Sequence, residues 1–527
     1  MPDALILAAF GGIDWAILGF YLLFMLGIGI RGMLKEKKQK TEEFFLAKRS
    51  MPTWALAISI VGSSLSAATF VGVPNSTYRG NITYLILNIG GFMAVFVVGF
   101  LFVPRLYKAG TVTVYGFIGQ RFGETSRAAI AVMFLVGRLF ASGARLYLAA
   151  IPLCMMIYGI DHKATLSQLA FAIGIIGFIG TFYTIFGGIR TVIWVDTIQF
   201  ALVVGAVLVS IAVLLHRIPI GSAEIIDVLR ESKAADGTSK LKLVDTTFDL
   251  TRPFTIWAAL TGAFLTAVAS FGVDQDLAQR FLVAKSPTRG AISVIASQFV
   301  SIGVVSLFMI VGLLLFIFYQ RPDVMGTTRP SAGDAIYQRF LLEELPPVLS
   351  GLAIAGLFAV AQGSMDSAVN AMAGSLVSDL YLPWRKSRGL STTENVSTEA
   401  PRYAVAGIGA AMTLVGIFCA AIHDEKVPLL NFALSVMVFA FSGMLAVFVT
   451  GLFTNRGNTA SVIAALCVGF ALTLLMQNAI LTPISRAVIG RELVIEFTYA
   501  MTLSTIVATV VCMMPKGGRP SRGFALN

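Results

Sequence analysis

Charge is what this sequence has least of. Only 13% of its 527 residues are acidic or basic, about half the share of an ordinary soluble domain, which argues against a water-soluble globule. Histidine is scarcer still. His162, His216 and His423 are the full set, and they fall in connectors or at helix ends, so no histidine-centred metal or acid–base site is indicated. The cysteines, Cys154, Cys419, Cys467 and Cys512, lie inside apolar stretches with no CxxC pair. That excludes a disulfide-stapled scaffold and gives no sign of redox chemistry. There is no P-loop and no HExxH. A GxGxxG spelled by Gly27, Gly29 and Gly32 closes an apolar run with no strand before it, so it does not read as a dinucleotide fold.

What is abundant is apolar. Apolar residues make up 57% of the chain, and the mean hydropathy is +0.83. Runs of about 20 apolar residues or more recur, each long enough to cross a hydrocarbon layer of about 30 Å. The expectation is one all-α polytopic membrane domain over residues 1–527. It has about thirteen transmembrane helices, near residues 13–31, 52–78, 82–107, 127–158, 164–186, 190–215, 253–276, 287–319, 346–381, 402–422, 427–453, 459–479 and 494–514.

The net charge of +11 sits in connectors, which reads as a topology signal and not as a nucleic-acid-binding face. Seven Lys and Arg residues lie from Arg31 to Arg49. Every second connector from there is also basic, with Arg105, Lys108, Arg121 and Arg127, then Arg190, then Arg280, Lys285 and Arg289, then Arg385, Lys386, Arg388 and Arg402, then Arg456. The positive-inside rule places these in the cytoplasm of a bacterial inner-membrane protein, with the N-terminus outside and the C-terminus, bearing Lys516, Arg519 and Arg522, inside. The N-terminus carries Asp3 and no basic residue before Arg31, so the first helix is expected to be retained and not cleaved as a signal.

Ionisable residues within apolar runs carry the functional information, because an unpaired charge at mid-bilayer costs at least about 2.5–3.5 kcal/mol. Arg138, Arg145, Asp196 and Asp366 stand out. The two arginines are two helical turns apart and share a face. A purely structural reading pairs Arg138 with Asp196 and lets Arg145 snorkel to the outer surface. Two stretches are crowded with hydroxyls, Gly62-Ser-Ser-Leu-Ser-Ala-Ala-Thr-Phe70 and Ala359-Val-Ala-Gln-Gly-Ser-Met-Asp-Ser367. Val360, Ser364 and Ser367 fall along one face, and such oxygen-rich segments suit a small hard cation held between them. The second and seventh helices are both interrupted, by Gly62-Ser63-Ser64 and by Gly262 with Ser270 and Gly272. Paired interruptions of this kind point to an inverted-repeat transporter.

These residues resemble the sodium/solute symporter family. The resemblance lies in Gly62-Ser-Ser-Leu-Ser66, Tyr183-Thr-Ile-Phe-Gly-Gly-Ile-Arg-Thr-Val-Ile-Trp-Val-Asp-Thr-Ile-Gln199, Asp274-Gln-Asp-Leu-Ala-Gln-Arg280 and Gln362-Gly-Ser-Met-Asp-Ser367. It implies a leucine-transporter-like fold. An extra N-terminal helix over 13–31 precedes two inverted five-helix repeats, over 52–215 and 253–453, and peripheral helices over 459–514. It also implies a principal sodium site at Gly62, Leu65, Val360, Gly363 and Ser364, where Gly363 stands in place of a frequent serine. Members similar to the bacterial sialic acid symporters have a second sodium site, matching Asp196, Gly363, Asp366 and Ser367. Their substrate site matches Ser64, Ser66, Thr69, Tyr84, Asn88 and Arg138.

The expected function is secondary active import of a small organic solute by alternating access, coupled to one or two Na+ ions. The solute is a sialic acid or another carboxylate or sugar acid, with Arg138 as a bidentate partner for its carboxylate. A neutral sugar or polyol is the alternative within the class, and proton coupling through Asp196 and Asp366 is the alternative driving ion. An ion channel is the rival from another class. The partners are the solute, sodium and the bilayer, with no nucleic acid and no obligate protein partner. No loop gathers the nucleophile, base and metal of an enzyme.

Overall fold

The computed structural model describes residues 11–35, 41–160, 162–326, 336–390, 394–423 and 439–515. Among the described residues all regular structure is helical, apart from two isolated bridge pairs. Eight helices are long and apolar enough to cross a membrane, or up to eleven if each bent pair is one span. Two shorter apolar helices, Phe441–Phe453 and Phe497–Met513, lie near the C-terminal end. The described residues thus fall short of the thirteen spans expected, and the first part of the expected 427–453 helix lies outside them. So do Asp3, Lys516, Arg519 and Arg522.

The helices used below are α1 (Gly12–Lys35), α2 (Thr53–Ser64), α3 (Ala67–Arg79), α4 (Leu87–Val97), α5 (Glu124–Tyr158) and α6 (Leu166–Arg217). They continue with α7 (Phe264–Gly272), α8 (Gln275–Leu282), α9 (Pro287–Gln320), α10 (Leu349–Ser375), α11 (Glu394–Ile422), α12 (Phe441–Phe453), α13 (Thr459–Leu475) and α14 (Phe497–Met513). The centre is built by α10, which is buried along its whole length and packs on α6, α2, α5 and α8. The terminal helices α12, α13 and α14 pack mainly on one another.

Three helix pairs are bent at a short break, the last of them, Thr459–Leu475 with Asn478–Ile489, by 73°. Between α2 and α3 the chain bends by 63°, and between α7 and α8 by 53°. The first break follows from its serines. Ser63 Oγ donates to the Ser59 carbonyl at 2.8 Å and Ser64 Oγ to the Val61 carbonyl at 2.9 Å, side-chain bonds that compete with helix propagation. Leu65 and Ser66 then turn extended. The interruption expected at Gly262, Ser270 and Gly272 takes the form of a π-helical turn over Ala259–Ala263 and a break at Val273 and Asp274, directly after Gly272. At the break the Asp274 side chain caps α8, accepting from the Asp276 N–H at 3.0 Å, a role aspartate performs well at a helix start. Gly262 also permits close packing, since a Cβ there would stand 1.8 Å from the Thr498 carbonyl oxygen.

The two helices expected at 164–186 and 190–215 are present as the spans Leu166–Ile185 and Gly188–Arg217, joined within α6 by a kink at Gly188. Gly188 has φ of 53°, a conformation glycine adopts without steric penalty. The long connector after α6 is also ordered. Lys240 is buried and donates to the carbonyls of Tyr78, at 2.5 Å, and Gly80, at 2.8 Å, at the end of α3. Cations stabilise helix C-termini in this way.

Overpacking a close helix contact typically costs about 1–3 kcal/mol. Gly262→Ala should therefore lower the melting temperature of the detergent-solubilised protein. Gly205→Ala, on α6 with nothing within 4 Å of the added carbon, should leave it unchanged.

Candidate functional site

Beside the first break, α2, α6, α8 and α10 converge on one buried guanidinium. Arg280 on α8 is fully buried. Its Nη2 donates to Ser63 Oγ at 2.5 Å, Ser367 Oγ at 2.7 Å and Asp196 Oδ2 at 3.2 Å. Its Nη1 donates to Asp276 Oδ1 at 2.9 Å. Asp196 Oδ2 also accepts from Ser59 Oγ at 2.5 Å. Asp276 in turn accepts from Arg138, and Arg138 Nη1 donates to Asp274 Oδ2 at 2.8 Å. The result is a buried chain of alternating sign, Asp196, Arg280, Asp276, Arg138, Asp274. In an apolar interior each member needs such a partner, because an isolated ion there is heavily penalised.

This arrangement corrects three expectations. Arg138 pairs with Asp274 and Asp276, not with Asp196. Arg280 is not a cytoplasmic connector charge but the hub of the network. Arg145 does not reach for the outer surface. It is buried and lines the same cavity as Arg138.

That cavity has a volume of about 240 Å³. Ser64, Thr69, Tyr84, Asn88 and Arg138, five of the expected substrate residues, line it together with Arg145, Thr266, Asp274 and Gln298. Ser66 is buried but is not part of the lining. Asn88 is oriented by its neighbours, donating to the Leu85 carbonyl at 3.2 Å and accepting from Gln298 Nε2 at 3.2 Å. Arg138 uses one N–H of each terminal nitrogen, Nη1 on Asp274 and Nη2 on Asp276. Its Nε is buried with no hydrogen-bond partner, as is the Thr266 hydroxyl. The wall of the cavity therefore holds unmet donors.

Two of the residues expected to hold sodium, Gly62 and Gly363, lie beside Asp196. A Cβ on Gly62 would lie 3.4 Å from the Asp196 carbonyl oxygen, and one on Gly363 would lie 3.6 Å from Asp196 Oδ1. Asp196 thus sits between α2 and α10, and its Oδ1 is buried without a donor, as a cation ligand would be. Leu65 occupies the break, its carbonyl released from helical pairing. Val360 and Ser364 are buried on α10, with Ser364 Oγ donating to the Ala361 carbonyl at 3.1 Å. Asp366 is satisfied on both oxygens, by Tyr183 Oη at 2.7 Å and by the Ser367 N–H at 2.7 Å. Ser367 Oγ is committed to Asp276 and Arg280. Among the described residues no group of three or more His, Cys, Asp and Glu is placed to bind a metal.

A model of the sodium:solute symporter family matches residues 44–469. The chain belongs to that family. Among relatives of this symporter, the human sodium/iodide cotransporter is 26% identical over 88% of this chain and 69% of its own length. The sodium/sialic acid symporter SiaT of Proteus mirabilis is 25% identical over 87% and 88%. Human sodium-coupled monocarboxylate transporter 1 is 25% identical over 88% and 72%. A substrate-bound, outward-open Na+-coupled sialic acid symporter superposes with a TM-score of 0.79 at 22% identity, covering 96% of this chain and 98% of that one. Mhp1, a nucleobase-cation-symport-1 transporter, gives 0.51 at 12% identity over 88% and 93%. At such identities these two establish the fold alone.

The protein is a multi-pass membrane transporter that couples solute movement to sodium, and its family is one of transporters, not enzymes. Sequence reasoning overlooked Asp274, Asp276 and Arg280 as site residues, although Asp276 and Arg280 stand one helical turn apart. That spacing, at the end of an apolar run, was the available signal.

Removing one partner from a buried ion network costs about 3–5 kcal/mol, because the survivors stay charged and unpaired. Arg280→Gln should sharply reduce folded yield and melting temperature. Combining it with Asp196→Asn should recover part of the loss.

Proposed function

We propose that this symporter imports a small organic carboxylate from outside the cell together with sodium. The reading stands on the two guanidiniums of Arg138 and Arg145 in the cavity wall. Among the described residues, the one acidic side chain lining that cavity is Asp274, and its oxygens already accept from Arg138 and from the Asp276 N–H. A solute thus meets donors, Arg138 Nε and Thr266 Oγ1 among them, and its carboxylate supplies the missing acceptors. The cavity lies below the roughly 300–1,000 Å³ common for drug-sized ligands, which favours a compact solute, a sialic acid or smaller. Relatives named for iodide, sialic acid and monocarboxylates support an anion.

Sodium would be held by the Gly62 and Leu65 carbonyls on one side and by Val360, Gly363 and Ser364 on the other, bridging the first broken span to α10. A second ion would lie near Asp196, Asp366 and Ser367. Charge balance favours two. The carboxylates of Asp196, Asp274, Asp276 and Asp366 outnumber the guanidiniums of Arg138, Arg145 and Arg280 by one. A first sodium offsets that surplus, and a second accompanies the anion. The energetics agree. One sodium entering with a monovalent anion is electroneutral, so a tenfold sodium gradient supports only about a tenfold solute gradient. Two sodium ions add one net charge moving through about 100 mV, raising the total to about 5 kcal/mol and the limit to several thousandfold.

In this reading residues 52–215 and 253–453 form the two repeats, the N-terminus is outside and the C-terminus is in the cytoplasm of a bacterial inner membrane. Sodium binding joins α2 to α10 and organises Ser64 and Thr69 at the cavity wall. Closure over the solute and rocking of the repeats then expose the site to the low-sodium cytoplasm.

The test is uptake into proteoliposomes of labelled sialic acid, short monocarboxylates, neutral sugars and polyols, with and without an inward sodium gradient. A carboxylate should accumulate only with sodium, and accumulation of neutral solutes alone would overturn the reading. Arg145→Gln should raise the half-saturating carboxylate concentration roughly 10- to 150-fold, the loss of one charge-assisted contact.

A further inference from the structure

Two buried oxygens on α6 have no hydrogen-bond donor, and both face the same gap. They are Asp196 Oδ1 and Gln199 Oε1, three residues apart and therefore on one face of the helix. The gap is made by Gly363 on α10. A Cβ built there would stand 2.6 Å from Gln199 Oε1 and 3.6 Å from Asp196 Oδ1.

The Gln199 amide is held with its oxygen towards this gap. Its Nε2 donates to Tyr21 Oη at 3.2 Å, and the Tyr21 hydroxyl passes its own proton to Gln362 Oε1 at 2.9 Å. The nitrogen end is thus committed to α1, and the carbonyl end is left for Gly363. Leaving two buried acceptors on one helix face unpaired is unfavourable unless something positive joins them. Arg280 does not reach this side, since its bond to Asp196 is on Oδ2. One carboxylate oxygen and one amide oxygen are hard ligands of the kind small alkali cations take.

We infer that Gln199 is a sodium ligand, its carbonyl oxygen standing where Gly363 has no side chain to offer. Gly363 and Gln199 are then a matched pair: a side chain at 363 would displace the Gln199 oxygen, and without that oxygen the cation would meet a hole. This rests on the sodium reading of the Asp196 region and adds to it a residue outside the expected ligand set.

The test is binding of radiolabelled sodium to the purified full-length protein in detergent, with no solute present. Gln199→Ala should weaken sodium binding about tenfold or more, while Gln199→Glu, which keeps the oxygen, should retain it. Gly363→Ser alone should also weaken binding through its clash with Gln199. Gly363→Ser combined with Gln199→Ala should recover affinity, because the serine hydroxyl then has room to replace the lost ligand. A folded Gln199→Ala that binds sodium like the native protein overturns the inference. So does a double variant no better than Gly363→Ser, a comparison that stands even where Gln199→Ala fails to fold. Absence of sodium binding by the native protein would instead remove the sodium-site reading itself, and this inference with it.

Discussion

The structure depends on keeping several full charges inside an apolar bundle. Arg280 makes this possible. Its planar guanidinium offers donors in several directions at once, which lysine cannot match, and it uses them on α2, α6, α10 and its own helix. Each contact satisfies a group that would otherwise be stranded, so the helices around the first break are held in one arrangement by mutual electrostatic need. Generic apolar packing between helices would leave that arrangement loosely specified.

The same network reaches the solute cavity. Asp276 is shared between Arg280, which touches the Asp196 region, and Arg138, which lines the cavity. A change of charge at either end alters the field felt at the other in a medium of low polarity. On the proposed ion and solute sites, coupling would have a short physical route through α6, α8 and α5. The broken spans add to this. Their unwound residues interrupt the helical pairing of the backbone, which within a membrane span is tolerated only around a cavity or a bound ion.

Much of the fold was legible in the sequence because membrane spans announce themselves by composition. The break after Ser63 and Ser64 could be read from local chemistry, since serine side chains turn back on their own helix. The second interruption was legible in Gly262, Ser270 and Gly272, since Gly262 lies in a π-helical turn against the Thr498 backbone and the bend follows Gly272; what glycine content did not show is that Asp274 starts the next helix. The division expected between residues 186 and 190 is where the kink at Gly188 separates the spans Leu166–Ile185 and Gly188–Arg217.

The sequence by itself determined the class, the helical architecture and the oxygen-rich segments, because these follow from hydropathy and from which side chains lie near one another along the chain. It also singled out Arg138, Arg145, Asp196 and Asp366 as charges that must be explained. Only the tertiary structure decided which charge answers which. Arg280 and Asp196 are 84 residues apart, and Arg138 lies 136 residues from Asp274. No local periodicity records such pairings, since Coulombic attraction acts on distance in space and the chain's order in sequence does not fix that distance.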